Sequence, residues 1–534
     1  MLDEGGAILA DEMHFLYIRG LGKTLQCITL LWVMLKQTPY YGMPPLARKV
    51  LVVCPASLVK NWQTEFNKWL GLERIRIFVG ESATIKDFIH ARIYDAGIFS
   101  YETILRHFEK SLNLQIDVIV CDEGHRLKNK EIKLFKCLNR LNTRRRIILS
   151  GTPIQNNLKE FYCMCDFVNP GVFGSYPVFR KQYVDPIGLS KLAGCTPEER
   201  NEGLKKEAEL FRYTSSFMLR RNKEVNNDYL PPKEEYIVFC KPTPKQLSLY
   251  HQFLKAEIST ATPLKLITVL KNLCNSVNLC ALAKPRKEDA SRLKPIFTGK
   301  IEVLLQLLEY IKQNTKDKVV IVANSTKLLD ELQSICDDKC YPFSRLDGKT
   351  PVWRRQQQVA VFNLSASNEK FLFLLSAKAG GAGLNLYGAN RLIMFDIDWN
   401  PAIDQQAMAR IWRDKQLSKV YIYRLLTTGT IEEKIFQRQL SKASLAVNLN
   451  DFSSAKGLFT SEELKNLFQL NLTTNCETLD LIKLNAEDEF STSKDFLGWS
   501  HYSNADNIED TCLQNCFKKG KITFIIHCSS KNEK

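Results

Sequence analysis

The sequence predicts an α/β protein with two parallel-sheet lobes and helical insertions. Three observations predict it: two series of short β-branched runs separated by helix-like segments, a strand-poor interruption between the series, and a Gly-Lys turn followed about 100 residues on by an apolar strand ending in Asp-Glu. The first series is "KVLVVC" (49–54), "IRIFV" (75–79), "AGIFSY" (96–101), "IDVIVC" (116–121) and "RRIILS" (145–150). The second is "KVVIVAN" (318–324), "KFLFLLS" (370–376), "RLIMFDI" (391–397) and "KVYIYRLL" (419–426). Strands at this spacing need crossover helices, which makes the sheets parallel.

Between them, residues 160–290 are rich in charge and helix formers, as in "PEERNEGLKKEAELFRY" and "TPLKLITVLKNLC", with no comparable strand series. The expected division is a first lobe over 1–160, a helical insertion and linker over 161–295, a second lobe over 296–450 and a C-terminal extension over 451–534. In that extension "TSEELKNLF" reads as a capped amphipathic helix, and the polar, acidic stretch around "NAEDEF" as the start of poor order.

A chain of 534 residues with 45% apolar content is long enough for several packed cores. It has no uncharged apolar run of about 18 residues and no basic-then-apolar leader, so a soluble intracellular chain with no membrane partner is expected. Sixteen scattered cysteines suit a reducing compartment better than a disulfide framework. Lys and Arg outnumber Asp and Glu by 74 to 58, a net charge of +16, which suits a polyanion partner but is spread along the chain and equally describes a solvated surface.

Gly20, Leu21, Gly22, Lys23 and Thr24 form the end of a phosphate-binding loop, in which backbone N–H groups cradle phosphates, the lysine reaches the β/γ-phosphates and the hydroxyl holds Mg²⁺. The strand "IDVIVCDEGH" delivers Asp122 and Glu123 at its C-terminal end, where open α/β sheets bind ligands. Asp122 would hold Mg²⁺ with Thr24, and Glu123 would act on water. Alone, a strand ending in Asp-Glu is an ordinary turn; preceded by GLGKT it points to ATP. Arg410 and Arg413 in "QQAMARIWRDKQ", three apart and expected on one helix face, are the candidate cations for the transition state.

"DEGHRLKN" (122–129), "LSGTPIQN" (149–156), "RLDGKT" (345–350), "SAKAGGAGLNL" (376–386), "DIDWNPAIDQQAMARIWR" (396–413) and "YRLLTTGTIEEKI" (423–435) occur in this order over most of the chain. Together they resemble the Swi/Snf-type ATP-dependent DNA translocases, and most of all the recombination-repair branch of the Rad-fifty-four type and its B-like paralogue. The resemblance implies two RecA-like lobes of the superfamily-two helicase fold, ATP and Mg²⁺ as cofactors, duplex DNA and a strand-exchange recombinase filament as partners, and the nucleus as location. It also implies site residues. "CPASLVKNW" (54–62) matches a DNA-contact segment in which Ser57 and Lys60 would meet phosphate oxygens. Ser376, Lys378, Gly380 and Gly381 would do so in the second lobe, Gln406 would touch the nucleotide, and Arg410 and Arg413 would reach the γ-phosphate when the lobes close.

The departures matter too. The family motif reads D-E-M-G-L-G-K-T, and removing His14 to Arg19 from this chain restores it. The six residues read either as an alternative splice junction or gene-model error, or as a real variant with a deformed loop and poor hydrolysis. Because the chain starts at this first motif, the upstream adenine-reading glutamine segment and any N-terminal partner-binding region are expected to be missing. Ser276 and Val277 alter the usual C-N-H-P, and Lys415 stands where the family has glycine. Cys476 is not followed by the zinc-type cluster of the branch, and Cys512, Cys516, His527 and Cys528 do not form a recognisable ligand pattern. Two other readings stay open: a pseudo-ATPase that binds DNA or a recombinase without turnover, and a chromatin-remodelling ATPase. An RNA helicase is disfavoured by D-E-G-H in place of D-E-A-D.

Overall fold

The computed structural model describes residues 5–10, 23–38, 41–80, 85–91, 93–106, 116–127, 133–141, 143, 145–150, 158–190, 195–219, 230–257, 263–279, 297–377, 384–413, 415–444, 466–485 and 499–530. They fall into two compact units, Met1–Asn226 with Leu445–Ser454, and Asn227–Ser444 with Ala455–Lys534.

The first unit holds a seven-stranded sheet in the order β3-β4-β2-β5-β6-β1-β7. Its strands are β1 (Ala7–Leu9), β2 (Val50–Cys54), β3 (Ile77–Gly80), β4 (Ala96–Ser100), β5 (Val118–Asp122), β6 (Arg145–Leu149) and β7 (Met218–Leu219). Every pairing among the described residues is parallel. Because the side chains of a strand alternate, β2 sends Val50 and Val52 into one core and Leu51 and Val53 into the other, and both cores are apolar. Helices α1 (Lys23–Lys36) and α2 (Val59–Arg74) fill the first core with Ile28, Leu31, Trp62 and Phe66. The helical insertion lies against the second, and its longest helix, α3 (Pro197–Thr214), starts at a capping box between Thr196 and Glu199.

The second unit holds an eight-stranded sheet in the order β10-β11-β9-β12-β13-β8-β15-β14. The strands are β8 (Lys233–Cys240), β9 (Val319–Ala323), β10 (Phe343–Leu346), β11 (Leu372–Ser376), β12 (Arg391–Met394), β13 (Val420–Thr427), β14 (Ser500–Tyr502) and β15 (Ile522–Ser529). β10 through β8 pair in parallel, whereas β15 joins β8, and β14 joins β15, antiparallel. The helices that bear on the site are α4 (Pro263–Asn275), α5 (Gly299–Asn314), α6 (Pro401–Met408), α7 (Ile431–Ser444) and α8 (Thr511–Lys518). Among the described residues no helix is long and apolar enough to cross a membrane.

Two expectations differ from this picture. Residues 233–240, read as part of the helical insertion and linker, form an interior strand. Its opening charges are paired rather than solvated: Glu234 meets Lys419 at 2.9 Å and His527 at 2.8 Å, and Glu235 meets Arg424 at 3.6 Å. The tail expected to lose order past the acidic stretch instead folds from residue 499 to 530. Asp510 caps α8 through the N–H groups of Cys512 and Leu513 and holds the buried Arg391 at 3.1 Å, and Arg391 in turn meets Asp317 at 2.6 Å.

Candidate functional site

In the first unit the candidate residues gather at the C-terminal end of β5. Lys23 is the first residue of α1 and is buried; Thr24 follows it, half-buried. Asp122 ends β5. Its Oδ2 accepts the indole N–H of Trp62 at 2.8 Å, its Oδ1 accepts the N–H of Glu123 at 3.0 Å, and its carbonyl accepts the Tyr101 hydroxyl at 2.7 Å. Loss of water around the carboxyl and the neighbouring Glu123 charge push its pKa up to about 6, against the opposing pull of the Trp62 bond and the Lys23 ammonium. The thiol of Cys27, one turn along α1 from Lys23, is raised by burial and then by the Asp122 charge, so the first turn of α1 faces the end of β5.

Glu123 sits at φ 54, the left-handed region that non-glycine residues seldom adopt, which turns the chain sharply off β5. Gly124 follows it for a steric reason: a Cβ there would lie 2.3 Å from Cγ2 of Ile148 on β6. Arg126 closes the turn through Glu102 at 2.8 Å and the ring of Tyr101 at 5.4 Å.

Ser57 lies half-buried in the 3₁₀ turn Ala56–Leu58, and Lys60 stands exposed in the first turn of α2. Trp62, two residues on, carries this segment to Asp122. Gly20, Leu21, Gly22, the six residues 14–19, most of "SGTPIQN", and Lys378, Gly380 and Gly381 lie outside the described residues.

In the second unit Ser376 ends β11 and is buried, and Gln406 lies on α6, half-buried. Arg410 and Arg413 are not on one helix face, contrary to expectation, because α6 stops at Met408. The ladder tightens at its end, Arg410 N–H donating to Ala407 O at 3.1 Å rather than four residues back, and beyond it Leu386 N–H donates to Arg410 O at 2.9 Å and the Gln416 amide to Ile411 O at 3.1 Å. Arg413 donates to Leu384 O, and Gln416 also to Ala389 O at 2.7 Å, so the arginine turn is stitched to residues 384–389. Lys415 has φ 74, which explains why a glycine suits that position.

"TTGTIEEKI" is a structural fastening. Glu432 forms a fully buried pair with Lys300 at 2.6 Å and accepts Thr427 N–H at 3.0 Å; Glu433 accepts the N–H groups of Gly429 at 2.7 Å and Thr478 at 2.8 Å. Gly429, at φ 67, leaves no space for a side chain, since a Cβ would stand 1.7 Å from Asn471 O. Sequence reasoning missed Trp62 as a partner of Asp122 and missed Lys300 and Gln416 altogether. Trp62 closes the quoted "CPASLVKNW" and could have been questioned; a lone lysine or glutamine in an apolar helix entry or turn carries no such signal.

Among the described residues no group of three or more metal-capable side chains forms. Cys512 and Cys516 are packed in the core, and His527 is bonded to Glu234 and stacked on Tyr236 at 4.5 Å between ring centroids.

A parallel sheet ending in a lysine–carboxylate cluster, and a second sheet that is parallel except at β14 and β15 and leads to an arginine-bearing turn, fit the two-lobed helicase-like class. The chain belongs to the SNF2-related family: the model of the SNF2-related domain matches residues 2–336, and that of the helicase conserved C-terminal domain matches residues 299–415. It is 46% identical over 518 residues to the DNA repair and recombination protein RAD54B of Gallus gallus, covering 90% of this chain and 55% of that protein. To RAD54B of Homo sapiens it is 45% identical over 515 residues, covering 89% and 56%. To the DNA repair and recombination protein RAD54-like of Gallus gallus it is 39% identical over 573 residues, covering 99% and 77%. The chain thus spans a little over half the length of the RAD54B relatives.

Proposed function

We propose that this chain is the motor of a nuclear, duplex-DNA-dependent ATPase that moves along DNA and remodels protein–DNA complexes in homologous recombination and double-strand-break repair. The observation that carries the reading is the cluster at the end of β5, where Lys23 and Asp122 act on each other electrostatically and Trp62 ties Asp122 to the segment bearing Ser57 and Lys60. Likeness to named repair and recombination proteins supports the branch.

The donor set fits a nucleotide with Mg²⁺. Each Asp122 oxygen accepts one N–H and keeps lone pairs for a hard cation, and a cation there offsets the dehydration that raises its pKa. Mg²⁺ would be held by Asp122 and Thr24 and would neutralise phosphate charge. Lys23 holds the β/γ-phosphates, Glu123 orients and deprotonates the attacking water, and Arg410 and Arg413 meet charge on the transferred phosphate. Gln406 contacts the nucleotide, and Gly20, Leu21 and Gly22 cradle its phosphates. On the DNA side Ser57, Lys60, Ser376, Lys378, Gly380 and Gly381 contact phosphate oxygens, which hold a strand without reading its sequence. A strand-exchange recombinase filament is the protein partner.

The test is hydrolysis with and without duplex DNA. Lys23→Ala should abolish turnover and spare DNA binding, and Glu123→Gln should retain bound ATP. Removal of residues 14–19 should raise turnover by about tenfold or more, about 1.4 kcal/mol of barrier. Stimulation should fall steeply with salt and exceed that by single strands. Best stimulation by RNA, or normal turnover of Glu123→Gln, contradicts the assignment.

A further inference from the structure

Between Met394, the end of β12, and Pro401, the start of α6, the chain makes a turn that belongs to neither ladder. Four consecutive carbonyls in it are each taken by a side chain from elsewhere. Phe395 O accepts Lys300 Nζ of α5 at 2.6 Å, and Asp396 O accepts Asn324 Nδ2 at 3.3 Å. Ile397 O accepts Lys271 Nζ of α4 at 2.8 Å, and Asp398 O accepts Gln439 Nε2 of α7. The turn's other end is fixed as well: Asp398 N–H donates to Asp404 Oδ1 of α6 at 3.0 Å.

A surface turn leaves its carbonyls to water. Here two ammonium groups from two helices hold the carbonyls on either side of Asp396, and Lys300 spends its remaining donors on Asn275 and Glu432, both at 2.6 Å. The direction in which α6 leaves the sheet is therefore held by α4, α5 and α7 as well as by the turn's own carboxylates, Asp396 Oδ1 accepting Asn324 N–H at 2.8 Å and Asp398 Oδ1 accepting Asn400 N–H at 2.9 Å. α6 is eight residues long and runs straight into the turn bearing Arg410 and Arg413.

We propose that Lys271 and Lys300 are positioning residues for hydrolysis, which act by fixing the 395–398 carbonyls and so aiming α6 and the Arg410–Arg413 turn. The inference rests on the reading that these arginines serve the transferred phosphate. Lys271 offers the cleaner handle, because it is half-buried and a single bond joins it to the turn, whereas removing Lys300 strands Glu432 in the core.

The test compares Lys271→Met, Lys271→Arg, Arg410→Ala and the Lys271→Met/Arg410→Ala double variant of the full chain. Lys271→Met should lower DNA-stimulated kcat about tenfold with KM for ATP and DNA affinity within about twofold, since small misplacements of a catalytic group cost that much. Lys271→Arg should restore most of it. The double variant should lose clearly less than the product of the two single losses, because the part of the positioning that acts through Arg410 is already gone. Hydrogen exchange over 395–413 should quicken in Lys271→Met and recover in Lys271→Arg, and this decides the matter if turnover is too slow to read. Wild-type kcat in Lys271→Met, multiplicative losses in the double variant, or unchanged exchange overturns the proposal. Full activity of Arg410→Ala instead overturns the arginine reading, and the proposal falls with it.

Discussion

The indole N–H of Trp62 donates to Asp122 Oδ2 at 2.8 Å, which joins α2, the helix that carries Lys60, to the carboxylate at the end of β5. Trp62→Phe keeps most of the ring packing and removes only this donor. A hydrogen bond to a charged group contributes about 1.5–3 kcal/mol. The first unit should lose about that much stability in urea, and stimulation by DNA should fall more than basal turnover. An unchanged ratio of stimulated to basal rates would mean that the bond is packing alone.

Asp122 makes a pH prediction. Its pKa is raised to about 6 by dehydration and by Glu123, so the stability it contributes is fully present below the ordinary carboxylate value and is lost as pH rises through about 6. In a chelating buffer, the unfolding free energy of Asp122→Asn relative to wild type should therefore grow between pH 4 and pH 8, by on the order of 1–3 kcal/mol. A difference that stays flat across that window, in chemical denaturation at several pH values, contradicts the assignment.

Gly124→Ala places a methyl group 2.3 Å from Ile148 Cγ2. Overpacking of this kind costs about 1–3 kcal/mol. The urea midpoint should fall, and the adjacent Glu123 should be displaced enough to slow turnover. A wild-type midpoint would show that β6 gives way cheaply.

Lys415→Gly should act in the opposite sense. The left-handed backbone at φ 74 costs a side-chain-bearing residue about 1–2 kcal/mol, offset in part by the greater freedom of glycine in the unfolded chain. A gain of about 0.5–1 kcal/mol is expected in thermal or urea unfolding of the second unit. A loss would mean that the Lys415 side chain, which lies over the Tyr387 ring at 5.5 Å, contributes more than the strain costs.

Asp510→Ala tests whether the C-terminal segment belongs to the second unit. The change removes the cap of α8 and one of two carboxylates on Arg391, a charge that is 5% exposed. Breaking a buried pair from one side costs about 3–5 kcal/mol. Protease should then cut within 499–530 under conditions that leave wild type intact; resistance equal to wild type would show that β15 alone retains the segment.

The sequence by itself determined β2 to β6, β9 and β11 to β13 but not the parallel strands β1, β7 and β10, because strands buried on both faces are written as continuous β-branched runs that no neighbour needs to explain. It also singled out Lys23, Asp122 and Glu123, which the fold gathers at the end of β5, since a glycine-lysine turn and an Asp-Glu strand end are both local patterns. Only the tertiary structure decided the rest. β8 opens on Lys233, Glu234 and Glu235 and looks solvated until Lys419 and Arg424 supply its counter-charges, and His527 a hydrogen-bond partner, from elements far along the chain. β15 pairs with β8, α8 packs Cys512, Leu513 and Cys516 into the core, and Asp510 meets Arg391 across 119 residues. The spacing of Arg410 and Arg413 suggests a helix face, yet the ladder ends with Arg410 N–H on Ala407 O, and Leu386 and Gln416 hold the turn beyond it. In each case the partners are polar groups that lie outside the element itself, and such pairings leave no periodicity to read.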